Sequence, residues 1–420
     1  MHKNIKNMYP RVVDDSWNFK TADTKEFTHC YHIYPAMMIP QIARTLIDNY
    51  APLGKCDLIF DPYMGSGTTL VEASIKGINS IGTDINPLAR LISKAKTIHF
   101  DINLIEKHLA DIQMLPFLYS PEKVVNTDFS RISNSKFWYS DNSLYKLSYI
   151  SQVIDSIEKE QQLFFKIALS EVVREVSYTR NGEFKRYRMQ EDKIKEFSPD
   201  VFGLFECKLL RNLNGLKQYN KQNSKAKAVI SDFNTVFDIP NSILPDNSVD
   251  MIVTSPPYGD SHTTVAYGQF SRWANEWFNF PNAQNLDNLL MGGKKKAERQ
   301  FETHIIDKEL QEIKNQDSKR YFEVVAFLND YYNSINHIAP KLRNGGRICF
   351  VVGNRTVKGV QISLDYFTAE TFERKGFNYE TTIVREIPNK RMPSKNSPSN
   401  ISGAKGATMS NEYIVIMTKK

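Results

Sequence analysis

Residues 58–74, LIFDPYMGSGTTLVEAS, contain the pattern that decides the fold. Their first three residues are an apolar run typical of a buried strand, and the apolar positions after the turn predict a helix. Gly65 and Gly67 allow a tight turn and a close approach of the backbone to a ligand, because no Cβ intervenes. Residues 80–84, SIGTD, predict a second strand that ends in Asp84. A strand, a glycine-rich turn, a helix and a strand form one βαβ unit, which favours a parallel sheet.

Four interpretations of the glycine-rich turn compete. A phosphate-binding loop requires a lysine after its last glycine, but Thr68 follows Gly67. A dinucleotide site requires a third glycine where this chain has Leu70. The turn is otherwise either a connection without a ligand or a site for S-adenosylmethionine, which has an adenosine but no phosphates. Asp84 lies seventeen residues after Gly67, the spacing of an acid that binds ribose hydroxyls.

The α/β pattern is interrupted once along the chain. Residues 34–50 predict a helix, since apolar side chains recur every four residues. Residues 101–226 predict mainly helices, and we interpret them as an insertion. The α/β pattern then resumes with a strand that ends at Asp232 and another at 248–254. The remaining predictions are an irregular arm at 1–33, a helix at 321–342 ended by Asn-Gly-Gly at 344–346, strands at 347–352, 380–387 and 412–418, and a helix at 366–375.

The composition is that of an ordinary soluble globular protein. Hydrophobic residues make up 41% and charged residues 24% of the 420, which excludes a disordered chain, a collagen and a coiled-coil rod. No apolar run is long enough to span a bilayer, and the N-terminus lacks the apolar core of a signal peptide, so we expect a cytoplasmic protein. The net charge of +7 permits a polyanionic partner without requiring one. The four cysteines are far apart and form no CxxC pair, so we expect no disulfide framework and no metal.

Ser255-Pro256-Pro257-Tyr258, at the end of a predicted strand, is the second chemical signal. The prolines lack N–H groups, so the Ser255 hydroxyl and the Pro256 carbonyl remain as acceptors, followed by a ring that can stack. Such a site suits a planar heterocycle with an exocyclic amine, because acceptors that hold the N–H groups aim the nitrogen at an electrophilic methyl. A rigid turn without a ligand is the alternative. Two such motifs at strand ends favour function, since open α/β sheets bind ligands at their carboxyl edge.

Together, the two motifs resemble those of the DNA methyltransferases that methylate exocyclic amines. Residues 61–69 fit the family pattern [DN]P[FY]xGSGTT, and residues 255–258 fit [SDN]PP[YF]. The proline-containing stretch from Tyr34 to Pro40 and the late run 385–393 are also similar to segments of this family. The resemblance implies an α/β, Rossmann-like methyltransferase fold with a mostly parallel twisted sheet and a largely helical insertion. It also implies S-adenosylmethionine as the cofactor and double-stranded DNA as the substrate.

The resemblance also assigns individual residues of this chain to roles. The target base and the methyl transfer are assigned to Ser255, Pro256, Pro257 and Tyr258. Cofactor binding is assigned to Tyr34, Pro35, Asp61, Pro62, Met64, Gly65, Gly67, Thr68, Asp84, Asp232 and Ser255. The implied parts of the chain are an N-terminal arm and cofactor-binding half at 1–100, a helical insertion with candidate DNA contacts at 101–226, and a catalytic half at 227–420.

The first residue of the tetrapeptide bears on which base is methylated. In this family a serine there goes more often with cytosine, and Asp or Asn with adenine, so we expect N4-cytosine methylation, with N6-adenine as the alternative. Methylation at C5 of cytosine needs a cysteine that follows a proline, and none of the four cysteines does. A catalytically inactive DNA-binding protein, and methylation of RNA or of a protein glutamine, remain as other hypotheses. The expected context is a restriction-modification system with a separate cognate endonuclease.

DNA must be held while the base leaves the duplex. Basic side chains beside aromatic ones are candidates for this contact, with a solvated surface as the alternative for each cluster. The candidates are Arg180, Lys185, Arg186, Arg188, His262, Arg272, Lys390, Arg391 and Lys395. Trp273 and Trp277, one helical turn apart, are instead predicted to lie in the core.

Overall fold

The structure, a computed structural model, describes most of the chain. It covers residues 8–420 apart from 53–55, 126, 181, 183, 261–263, 294–296, 388–394, 397–405 and 408, and at 395–396 and 406–407 it gives the backbone alone. The strands of this part, in chain order, are β1 (Arg11–Val13), β2 (Leu58–Asp61), β3 (Asn79–Thr83), β4 (Ala228–Ser231), β5 (Val249–Thr254), β6 (Leu342–Val352), β7 (Thr356–Val357), β8 (Val360–Gln361), β9 (Phe377–Glu386), β10 (Lys395–Asn396), β11 (Gly406–Ala407) and β12 (Asn411–Lys419).

A central sheet of eight strands has the order β1-β9-β12-β6-β5-β2-β3-β4. β12 is antiparallel to both of its neighbours, and every other pair in the sheet is parallel. The chain runs from β2 outward through β3 to β4 and then returns to the other side of β2 as β5. The carboxyl ends of β2 and β5 therefore flank the point where the strand order reverses, which is where open α/β sheets bind ligands. The predicted fold class is confirmed.

Helices cover both faces of this sheet. The helices of the described residues are α1 (Pro40–Tyr50), α2 (Thr68–Ile75), α3 (Pro87–Thr97), α4 (Ile102–Gln113), α5 (Leu115–Leu118), α6 (Ser135–Trp138), α7 (Asp141–Asp155), α8 (Gln162–Glu175), α9 (Glu191–Glu196), α10 (Val201–Asn220), α11 (Tyr267–Trp277), α12 (Leu286–Leu289), α13 (Asp307–Gln316), α14 (Ser318–Ile338) and α15 (Leu364–Glu373). In the part of the chain described, none of them combines the length and the apolar character needed to cross a membrane.

The alternation of side chains along β2 explains the two cores. Ile59 points to the face covered by α1, whereas the next residue, Phe60, points to the face covered by α14 and α15. Because both faces are buried, the central strands are apolar throughout rather than alternating.

A third core belongs to the helices between β3 and β4. It joins α4 to α10 with α3 and with the apolar face of α11. Trp273 and Trp277 are 0% and 2% exposed in this core, so their predicted burial is confirmed. The helical region is thus attached to the sheet through α3 and α11, two helices that start beside the carboxyl edge.

Two predicted helices have different limits in the structure. The helix predicted at 34–50 begins only at Pro40, because proline fits a first helical turn and Ala36 before it has a left-handed backbone with φ of 50°. The helix predicted to end at 344–346 ends earlier, at Ile338, since Pro340 interrupts helical hydrogen bonding. Those later residues lie inside β6 instead. The irregular arm predicted at 1–33 contributes β1, which pairs with β9.

Candidate active site

One cavity opens at the carboxyl edge, between the ends of β2, β3 and β5. It encloses about 990 Å³ including its open mouth, and both sequence motifs line it. Ten of the predicted site residues are in its wall, namely Tyr34, Pro35, Asp61, Pro62, Met64, Gly65, Thr68, Asp84, Ser255 and Pro257. The wall does not include Gly67, Asp232, Pro256 or Tyr258.

Asp61, the last residue of β2, is a buried carboxylate at the bottom of this cavity, 3% exposed. It accepts a hydrogen bond of 2.5 Å from the Thr254 hydroxyl at the end of β5 and one of 3.1 Å from the Tyr63 backbone N–H. Burial raises the pKa of this carboxyl to about 6, against the effect of those donors. A buried acid with a raised pKa favours a ligand that brings positive charge or hydrogen-bond donors.

Asp84 follows β3 and is held at the opposite wall. Its Oδ2 accepts from the Gly65 N–H at 3.2 Å and its Oδ1 from the Asn86 N–H at 2.7 Å. Burial also raises the pKa of this carboxyl to about 6. Gly65 itself has φ of +47°, and a Cβ there would reach 3.7 Å from the Tyr34 ring, so glycine keeps the cavity open at this point.

Gly67 acts on helix packing rather than on the cavity wall. Its φ is +77°, and a Cβ would lie 2.8 Å from Ser93 Oγ of α3. The Ser93 hydroxyl in turn donates to the Gly65 carbonyl at 2.9 Å. The second glycine of the motif therefore lets α3 approach the turn closely.

The tetrapeptide follows β5 and places its first and last side chains together. The hydroxyl oxygens of Ser255 and Tyr258 are 3.0 Å apart, and the Tyr258 hydroxyl donates to Glu412 at 3.0 Å. Tyr258 also packs against Gly353, where a Cβ would be 2.5 Å from the ring. The ring is thus fixed from two sides, while the Ser255 side chain faces the cavity.

A buried ion pair supports the segment after the tetrapeptide. Arg355 donates to Asp260 at 3.0 Å, and both side chains are nearly inaccessible to solvent. A Cβ on Gly259 would overlap the Arg355 guanidinium at 1.9 Å, so only glycine fits between them. This contact sets the direction in which the chain leaves the cavity.

Several wall residues lie outside the two motifs. Ile85, Phe233 and Asn234 follow the acids that end β3 and β4, so the end of a predicted strand was a usable signal for them. Tyr267, Leu290 and Met291 come from the region after the tetrapeptide, and no local pattern indicates them.

Two of the predicted cofactor residues differ in their surroundings. Tyr34 stacks on the Tyr267 ring with centroids 5.8 Å apart, and its hydroxyl accepts from Asn86 at 2.8 Å. Asp232 is exposed and lies outside the wall, whereas the two residues after it line the cavity.

Comparison with known proteins decides what this cavity belongs to. The chain matches the N6/N4 DNA methylase family over residues 2–94 and 249–420. It is also 37% identical over 431 aligned residues to the Type II methyltransferase M.MvaI of Kocuria varians, covering 95% of this chain and 92% of that protein. The chain belongs to the N6/N4 DNA methylase family. It is therefore a DNA methyltransferase, and S-adenosylmethionine is its methyl donor, as predicted.

Other similarities are weaker. The methylase is 26% identical over 283 residues to the Type II methyltransferase M.BsoBI of Geobacillus stearothermophilus, covering 60% of this chain and 55% of that protein. Among solved structures, the rRNA methyltransferase aviRa of Streptomyces viridochromogenes aligns over 92% of this chain and 88% of its own, with 9% identity and a TM-score of 0.33. The assignment of the fold rests on the strand order of the sheet instead.

The basic residues of the hairpin at 178–189 have diverse surroundings in the methylase. Arg180 is exposed and Lys185 is half-buried. The Arg186 guanidinium lies over the rings of Trp273 and Trp138, at 4.9 Å and 5.7 Å from their centroids. Arg188 pairs with Glu191 and donates to the Phe137 carbonyl at 2.9 Å. The hairpin contacts α11 through the Arg186 N–H, which donates to Gln269 at 3.3 Å.

Arg272 also has partners within the protein. Its Nε donates to Glu276, which is almost fully buried, at 2.5 Å, and it donates to the Gln284 carbonyl at 2.9 Å. The predicted contacts His262, Lys390 and Arg391 and the side chain of Lys395 lie outside the described residues. Their assignment to DNA stays a prediction.

Proposed function

We propose that this methylase transfers a methyl group from S-adenosylmethionine to the N4 amine of a cytosine that has been flipped out of double-stranded DNA. The observation that carries this proposal is the shared cavity, in which the acids Asp61 and Asp84 face the Ser255 hydroxyl. N6 of adenine is the alternative acceptor. The serine at the head of the tetrapeptide supports cytosine, since serine goes more often with cytosine in this family.

The residues of the first motif form the cofactor side of the proposed site. S-adenosylmethionine, when bound, supplies an electrophilic methyl group on a positively charged sulfur. Asp84 is placed to accept hydrogen bonds from ribose hydroxyls, and Asp61 to attract the positive end of the ligand. Gly65 leaves room for both, since any side chain there would narrow the cavity against Tyr34.

The tetrapeptide forms the base side. The Ser255 hydroxyl and the Pro256 carbonyl accept the two N–H groups of the target amine, which turns the nitrogen lone pair toward the methyl. The nitrogen then bonds to the methyl carbon, the carbon–sulfur bond breaks with its electron pair left on sulfur, and the methylated nitrogen loses one proton to solvent. Orientation and electrostatic stabilisation of the charge that develops on nitrogen are the chain's contributions.

The proposed cellular role follows from the relatives. Two of them carry the name Type II methyltransferase, which supports a cytoplasmic modification enzyme of a restriction-modification system, with a separate cognate endonuclease. The exposed Arg180 and the hairpin beside α11 are proposed as part of the DNA contact.

Nucleoside analysis tests the proposal. The protein is incubated with labelled S-adenosylmethionine and mixed-sequence duplex DNA, and the DNA is digested and separated by mass spectrometry. Label in N4-methyldeoxycytidine is the expected result. Label in N6-methyldeoxyadenosine would replace the base but keep the chemistry, whereas cofactor and DNA binding without any transfer would indicate an inactive binding protein. RNA and protein substrates run in parallel would detect the remaining acceptors.

A further inference from the structure

A continuous hydrogen-bond chain leads from Ser255 to a buried arginine. The Ser255 and Tyr258 hydroxyl oxygens are 3.0 Å apart, and the Tyr258 hydroxyl donates to Glu412 Oε1 at 3.0 Å. The other oxygen of Glu412 pairs with the Arg385 guanidinium, whose side chain is 3% exposed. Neither of the two outer residues has a place in the sequence motifs, and neither lines the cavity.

Counting protons along this chain fixes its direction. A carboxylate only accepts hydrogen bonds and a guanidinium only donates them, so Glu412 is an acceptor from both sides. The Tyr258 hydroxyl has one proton, and the contact with Glu412 uses it. Burial and the nearby Glu412 charge raise the pKa of Tyr258 well above its usual range, so the hydroxyl keeps that proton. The proton in the contact between Ser255 and Tyr258 must therefore come from Ser255.

We propose that Glu412 is a positioning residue that makes Ser255 present only lone pairs to the cavity. A serine hydroxyl can otherwise donate or accept, and a hydroxyl that donated to the target amine would occupy the nitrogen lone pair needed for methyl transfer. With its proton committed to Tyr258, Ser255 can only accept an amine N–H. The inference rests on the proposed function, because it concerns how the same site holds the amine.

The anchoring of Glu412 supports this role. Arg385 donates through Nε to the Trp17 carbonyl at 2.7 Å and through Nη2 to the Asn18 carbonyl at 3.3 Å, so its guanidinium is held by the backbone of the N-terminal arm. The Asn18 side chain accepts from the Glu386 N–H at 2.7 Å, which ties the arm to β9. The carboxylate is therefore held at a fixed position relative to Tyr258, as the directional chain requires.

Replacement of Glu412 by glutamine distinguishes this role from simple packing. In Glu412→Gln, Arg385 holds the amide oxygen, so the amide NH₂ faces Tyr258 and donates to it. The Tyr258 proton then points to Ser255, which reverses the chain. We expect turnover on DNA to fall about 10- to 100-fold, while the dissociation constant for S-adenosylmethionine stays within twofold.

A double-variant cycle makes the test specific. In Tyr258→Phe the chain is already broken, so adding Glu412→Gln should lower turnover by no more than a further twofold. Glu386→Gln, at an exposed glutamate of the neighbouring strand, is the matched control and should keep wild-type turnover. Thermal melting of every variant checks that the fold is retained.

The outcomes separate the two proposals. Wild-type turnover in Glu412→Gln, or losses that multiply fully in the double variant, would overturn the positioning role while the wild-type enzyme still methylates DNA. A wild-type protein that transfers no methyl to DNA would overturn the proposed function, and the inference with it.

Discussion

At the carboxyl edge of the sheet, acids and a hydroxyl face an open cavity, whereas cations of the hairpin at 178–189 face other parts of the protein. Asp84 and Ser255 line space that a ligand can fill. Arg186 and Arg188 instead contact tryptophan rings and a carboxylate. A polar group directed into a cavity is available for chemistry, while a polar group with an internal partner mainly holds the fold. The comparison therefore separates residues that act on substrates from residues that only resemble them in type.

The largest effect is expected at Ser255. Ser255→Ala removes an acceptor from the target amine and should lower the single-turnover rate about 100- to 1,000-fold. Cofactor affinity, measured by calorimetry, should stay within twofold.

Ser248 offers a matched control on the same strand. It lies just before the amino end of β5, where its hydroxyl donates to the Pro245 carbonyl at 2.6 Å. Ser248→Ala should leave the rate unchanged. Equal rates for wild type and Ser255→Ala would remove the tetrapeptide from the chemistry.

Asp84 should give the next largest effect. Asp84→Ala removes a charged acceptor and the partner of the Gly65 N–H, so the dissociation constant for S-adenosylmethionine should rise about 10- to 100-fold. Asp232→Ala is the comparison, because that carboxylate is exposed outside the cavity wall. A loss at Asp232 as large as that at Asp84 would show that the cofactor extends beyond the cavity described.

The two cavity acids predict a dependence on pH. The pKa values of Asp61 and Asp84 are raised to about 6, so both carboxylates gain protons as the pH falls from 7 to 5. Because a cationic ligand favours the ionised forms, affinity for S-adenosylmethionine should fall about tenfold over this range for each acid that contacts it. Binding measured by calorimetry at several pH values, with Asp84→Asn showing a shallower dependence, checks this. A constant affinity would contradict the assignment.

The same shift has the opposite sign for folding of the ligand-free protein. A folded-state pKa raised above the unfolded value gives a stabilising contribution that is complete below the unfolded pKa and is lost as the pH rises through about 6. Asp61→Asn should therefore raise the melting temperature at pH 7 relative to wild type and lose that advantage near pH 4.

The smallest effect is expected in the hairpin. Arg180→Ala should weaken DNA binding a few-fold and lower the salt dependence of log affinity by about 0.9, the value for one phosphate contact. Arg188→Ala should leave that slope unchanged, because Glu191 and the Phe137 carbonyl already hold its guanidinium. Binding titrations across salt concentrations measure both. Equal slopes for wild type and Arg180→Ala would remove this arginine from the DNA contact.

The two regions also differ in how far the sequence predicts them. The glycine-rich turn and the tetrapeptide were predictable, because each follows an apolar strand and the carboxyl ends of parallel strands meet at one edge. Tyr267 and Met291 were not, since they reach the cavity through the packing of α11 and the segments after it.

Side-chain partners distant in the chain explain the rest. Arg186 has the local sequence of an exposed DNA contact, yet its guanidinium lies against Trp138 and Trp273. Likewise, nothing in the sequence around Glu412 indicates that it reaches Tyr258. Only the folded chain brings these groups together.

The central claim is that the methyl donor and the target amine meet between the glycine-rich turn and the tetrapeptide. A crystal structure with S-adenosylhomocysteine and a duplex containing the recognition sequence tests it most directly. The account predicts a flipped base whose exocyclic nitrogen lies about 3 Å from Ser255 Oγ, with the ribose on Asp84. A base that occupies another cavity, or a cofactor bound away from Asp84, would contradict it.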